Sequence, residues 1–117
     1  MRKWTETVHN WPPIKQDYFY KLKVTSIQKS RKTIRLQLEF LDRQMAGRTL
    51  TVSLPLPVRP AGVTADFFCA CGMPVTIGSE ILPRSTINCV IRACFVRADE
   101  GYQLGSIKPV RKEYKNA

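Results

Sequence analysis

The sequence is short of the groups on which most enzymes and metal centres rely. It holds one histidine, His9, so a Ser-His-Asp relay or a histidine-rich metal site has a single candidate member. No paired carboxylates in a plausible cleft and no phosphate-cradling glycine motif occur. The six glycines, Gly47, Gly62, Gly72, Gly78, Gly101 and Gly105, are scattered as turn residues are. The expectation is a non-catalytic protein with no cofactor. A thiol enzyme using Cys69 or Cys71 is the form that catalysis would take.

Long apolar stretches are also missing. No run reaches the roughly eighteen residues that a membrane-spanning helix requires. The first twenty positions carry Arg2, Lys3, Glu6, His9, Lys15 and Asp17, which does not fit a secretory signal. The expectation is an intracellular, cytoplasmic protein that does not enter membranes, with its four cysteines reduced. Their spacing suits zinc poorly. Cys69 and Cys71 stand about 200° apart on a helix, and Cys89 and Cys94, an odd number of residues apart on a strand, point to opposite faces. Small buried hydrophobes are the better reading, with no metal.

Negative charge is scarce. Nine Asp and Glu face nineteen Lys and Arg, for a net charge of +10 and a pI near 9.9. A polyanion is the natural partner, because phosphate contacts release condensed counterions. The excess is uneven. Residues 18–59 hold nine basic and two acidic side chains, a net of +7, whereas residues 60–107 hold three and four, a net of −1. Residues 108–117 return to +3 with four basic and one acidic.

What is present reads as a small all-β domain. Residues 18–27 alternate, with Tyr20, Leu22 and Val24 on one face and Phe19, Lys21, Lys23 and Thr25 on the other. Residues 33–40 bury Ile34, Leu36, Leu38 and Phe40, and residues 48–54 bury Leu50, Val52 and Leu54. Pro55, Pro57 and Pro60 interrupt the sheet. Thr64 is placed to cap a short helix over residues 65–71 that Gly72 and Pro74 end. Residues 86–96 form the longest predicted strand, and Asp99, Glu100 and Gly101 turn the chain into a last one. Three strands, a short helix between strands three and four, and two further strands give the element order of a five-stranded OB-fold Greek-key barrel. An extended arm covers residues 1–17, the OB-fold domain residues 18–109 and a basic tail residues 110–117.

Basic residues on the outward face and loops of the first three strands are Lys21, Lys23, Lys29, Arg31, Lys32, Arg35, Arg43 and Arg48. Single-strand binders combine a cationic track with rings on which bases stack. Lys21, Lys23, Arg31, Lys32, Arg35 and Arg48 are therefore the candidate phosphate ligands, and Phe19 and Tyr102 the candidate stacking rings. The plainer alternative is a solvated face that keeps the protein soluble. Trp4, Trp11, Tyr18 and Tyr114 also fall outside the core pattern, and the two tryptophans suit anchoring the arm equally well.

From residue 32 to residue 108 the chain resembles a family of phage and mobile-element OB-fold proteins. The residues that carry the likeness are TIRLQLEFLD, the pair Gly47 and Arg48, FFCACGMP and RADEGYQLGSI. The resemblance implies single-stranded DNA binding as an accessory to replication or recombination. The chain departs from bacterial-type single-strand binders in its basic tail, which stands where those carry an acidic partner-recruiting one. The expectation is a single-stranded DNA-binding module with little sequence preference. RNA as the ligand, and an interaction subunit docking on a replication or recombination protein, remain alternatives. So does a homo-oligomer formed through the arm or through Val90, Cys94 and Val96.

Overall fold

The computed structural model describes residues 11–99 and 101–110. The start of the predicted arm with Trp4 and His9, Glu100 of the predicted hairpin turn, and residues 111–117 of the basic tail, with Tyr114, lie outside the described residues.

Five strands form one antiparallel sheet: β1 (Tyr20–Lys29), β2 (Thr33–Phe40), β3 (Thr49–Pro55), β4 (Val90–Ala98) and β5 (Gly101–Pro109). One α-helix among the described residues, α1 (Val63–Ala70), lies between β3 and β4. The strand order is β3-β2-β1-β4-β5, so β1 is central and β3 and β5 are the edges. The predicted barrel is therefore not closed: the edges approach one another, but no ladder joins them. Helix α1 packs on β5 and also reaches β3, so the two edges share a neighbour in place of a ladder.

Alternation builds the core as the sequence predicts. Leu22, Val24, Leu36, Leu38, Ile91, Ala93 and Phe95 are fully buried, together with Phe67 and Phe68 of the helix. Tyr20, Phe40 and Phe95 meet edge to face or tilted, with ring centroids 5.2 to 6.2 Å apart, the arrangement favoured by their quadrupoles. The register of β1 on β2 shifts between Val24 and Ser26. This bulge at Thr25, whose hydroxyl donates to the Gln37 carbonyl at 3.0 Å, restores Ile27 to the core side opposite Leu36.

Three local expectations are corrected. Thr64 does not cap α1. The helix starts two residues earlier, after Gly62 at φ 111°, a conformation that suits glycine. The buried Thr64 hydroxyl instead donates to the Pro55 carbonyl at 2.8 Å, tying the helix to the end of β3. The fourth strand begins at Val90, not at residue 86, because Pro83–Thr86 winds into a short 3-10 turn and Asn88 takes a φ of 73°. Asparagine tolerates that left-handed conformation better than most residues. Cys94 is not an outward residue. It is buried, and its sulfur accepts the Ser106 N–H at 3.2 Å, where the register of β4 on β5 shifts between Ala93 and Phe95. Gly105 belongs to this irregularity, since a Cβ there would lie 3.1 Å from Val96 Cγ1 and 3.3 Å from Cys94 Sγ.

Residues 11–19 run along the sheet. Ile14 is buried, Gln16 forms a parallel bridge with Phe95, and the Lys15 N–H donates to the Tyr20 hydroxyl at 2.9 Å. Phe95→Ala removes the ring that meets Tyr20 of β1, Phe40 of β2 and Tyr102 of β5, and a loss of about 3–5 kcal/mol is expected in urea unfolding. Thr64→Val leaves the Pro55 carbonyl without its donor, and the same measurement should give a loss of about 1 kcal/mol.

Candidate functional site

Because Tyr20, Leu22 and Val24 face the core, Lys21 and Lys23 face outward. Register then determines their neighbours. Lys21 stands opposite Arg92 of β4, and Arg92 stands opposite Lys108 of β5. One row across three strands thus carries three cations, on strands spaced about 5 Å apart. Phe19, half-buried just ahead of β1, lies under two of them: Lys108 Nζ is 4.5 Å and Arg92 Cζ 5.8 Å from its ring centroid. The negative ring face attracts both cations. It offsets part of the repulsion that like charges on adjacent strands impose.

The face continues along β1 and β2. Lys23 stands opposite Glu39. A neutral stretch follows, with Gln37 between Ser26 and Thr51. Arg35, exposed, then lies between Gln28 and Ser53. Arg31 and Lys32 are exposed in the tight turn beyond, where the Ser30 N–H donates to the Thr33 carbonyl at 2.8 Å. Cations therefore occupy both ends of a polar track roughly 20 Å long, at about 3.3 Å per strand residue.

Of the eight predicted site residues, the structure brings Phe19, Lys21, Lys23 and Arg35 to this face, with Arg31 and Lys32 at its end. Arg48 is engaged elsewhere. Its guanidinium lies 5.7 Å from the Trp11 ring and 5.9 Å from that of Phe40, and it donates to the Pro12 carbonyl at 3.4 Å. Trp11 in turn donates from Nε1 to the Ala46 carbonyl at 3.3 Å. Tyr102 is half-buried against Phe95, with centroids 6.4 Å apart. It lines an open cleft of about 650 Å³ with Arg97, Asp99, Gln103, Thr51 and Ser53, between β3 and the β4–β5 hairpin.

Arg92 and Lys108 were not among the predicted site residues. The available signal was Arg92 as a lone cation within an apolar strand. Its partnership with Lys21 and Lys108 depends on two registers that the strand sequences do not specify.

Among the described residues, no three His, Cys, Asp or Glu side chains cluster as metal ligands, and all four cysteines are free. Cys71 and Cys89 are neighbours. The Cys89 thiol donates to the Cys71 carbonyl at 3.9 Å and to the Ser85 carbonyl at 3.7 Å. Burial, and then the adjacent Cys89, push the Cys71 thiol from 9.0 up to about 12. Among the described residues, no helix is long and apolar enough to cross a membrane.

No protein-family model, curated protein or solved structure matches the chain. The residues and their geometry therefore carry the functional argument alone.

The thiols offer a direct check. At pH 8, alkylation followed by peptide mass mapping should modify exposed Cys69 faster than Cys71 by at least about tenfold, since the thiolate is the reactive form. The raised Cys71 value means that the folded state holds this proton more tightly than the unfolded chain. Its contribution to stability is complete below pH 9.0 and is lost as pH rises toward about 12. Unfolding midpoints measured across that alkaline range should fall less steeply in Cys71→Ala.

Proposed function

We propose that this protein is a non-catalytic, OB-type single-stranded DNA-binding module with little sequence preference, serving replication or recombination of a phage or mobile element. The observation that carries the reading is the row of Lys21, Arg92 and Lys108 over Phe19. Like charges placed side by side lower stability, and a polyanion bound across them relieves that repulsion while releasing its counterions. The strand order, with the helix between β3 and β4, is compatible with an OB-type barrel left partly open.

In this reading the strand runs over the outward face of β1 and β2. Lys21, Arg92 and Lys108 hold phosphates at one end, and Arg35, Arg31 and Lys32 hold them at the other. Phe19 orients two of the cations, because both already lie against its ring. Ser26, Gln37 and Thr51 offer hydrogen bonds to whatever base lies between, which suits tolerance of sequence. Tyr102 provides a stacking edge at the cleft, and Arg48 acts indirectly by holding the Trp11 segment in place.

Fluorescence anisotropy with a labelled oligothymidylate across a salt series tests the reading. Five or six phosphate contacts give a log–log slope near −4, at about −0.7 per contact for single strands. Arg92→Ala should make the slope shallower by about 0.7, whereas Arg48→Ala should leave it unchanged. A flat salt response removes the mechanism. Competition with the matched RNA then reports whether a 2′-hydroxyl matters.

A further inference from the structure

A second recess lies away from the cationic row and meets the track only at Gln28. The bulge at Thr25 turns Ile27 toward the core side, and Ile34 lies there opposite Lys29. The 3-10 turn Pro83–Thr86 packs against β1 at this end. Between them opens a recess of about 690 Å³, lined by Ile27, Ile34, Leu82 and Pro83, with Lys29 and Arg84 among its walls. This lies within the range of ligand clefts, roughly 300–1,000 Å³. Leu82 is 64% exposed at its margin, an apolar side chain left in water beside other apolar groups.

From this geometry we infer that the recess is a docking site for an acidic peptide segment of a partner protein, anchored by one large aliphatic side chain. Charge selects the segment. Lys29 and Arg84 border the recess, exposed Arg31 and Lys32 follow in the adjoining turn, and no carboxylate lines it. Shape and chemistry select the anchor. The floor is aliphatic and proline, with no aromatic ring on which a base could stack, so the site favours a side chain such as leucine over a nucleobase. Burying that side chain against Ile27, Leu82 and Pro83, which retain apolar surface in water, removes apolar surface from water on both partners. Flanking carboxylates meet Lys29 and Arg84 at the rim, where charge complementarity selects partners and speeds encounter.

The inference does not depend on DNA binding, and its test separates the two. The full chain is titrated with a fluorescein-labelled, Asp- and Glu-rich peptide of about ten residues bearing a central leucine, alongside the same peptide with alanine in its place. The leucine peptide should bind more tightly by about tenfold or more, and Leu82→Ser and Arg84→Glu should each remove most of that advantage. NMR amide shifts should move at Ile27, Lys29, Ile34 and Arg84. Leu82 is largely exposed, so its replacement leaves the core intact, and the comparison of the two peptides needs no variant. Equal affinity for the two peptides, or no binding, overturns the inference. So does a Leu82→Ser variant that loses oligonucleotide affinity in place of peptide affinity, or one that abolishes a dimer seen in sedimentation.

Discussion

Tyr20, Phe40 and Phe95 bring one ring each from β1, β2 and β4 into mutual contact, and much of the rest of the molecule follows from that meeting. A strand that slips by one residue turns every side chain to the opposite face, so a ring cluster spanning three strands fixes which residues face outward. With Tyr20 inward, Phe19 and Lys21 face out; with Phe95 inward beside Ala93, Arg92 faces out. The same rings hold peripheral parts. The Tyr20 hydroxyl takes the Lys15 N–H, Arg48 leans on Phe40, and Tyr102 packs on Phe95. The cationic face is thus a product of the aromatic core.

The first three strands were legible because each alternates over most of its length, β1 up to its bulge at Thr25, and a short turn joins the first to the second. Ile34, Leu36, Leu38 and Phe40 sit on one face of β2 as the period of two requires. Legibility failed where alternation was replaced by local irregularity. Residues 86–96 read as continuous strand because most are apolar, yet Asn88 bends the backbone and Thr86 spends its hydroxyl on the Pro83 carbonyl at 2.6 Å. Thr64 has the chemistry of a cap, but the hydroxyl found a carbonyl of the preceding strand. A residue's donors and acceptors are visible in the sequence; which partner wins depends on distances set by the whole fold.

The site shows the same division. Lys21, Lys23 and Arg35 could be placed on one face from their own strands. Arg92 and Lys108 could not, because their nearness to Lys21 depends on how β1 pairs with β4 and β4 with β5. The segment charge counts misled in the same way. They put the excess in residues 18–59 and 108–117, which take in Lys21 and Lys108 but leave Arg92 in the near-neutral span between. Arg48, by contrast, looked like any other surface cation, yet two rings and a carbonyl occupy it.

The absence of a β3–β5 ladder has a mechanical meaning. Three strands on one side and a hairpin on the other are joined by the paired stretch from Tyr20 to Lys23 against Val90 to Ala93, extended by Val24, which exchanges bonds with Cys89 and Asn88. A closed cylinder would share shear between two such seams; here one carries it, aided by the helix. Lys21 and Arg92 stand on either side of that seam. An anion lying across both would clamp that seam, coupling its occupancy to the stiffness of the sheet through the same few residues.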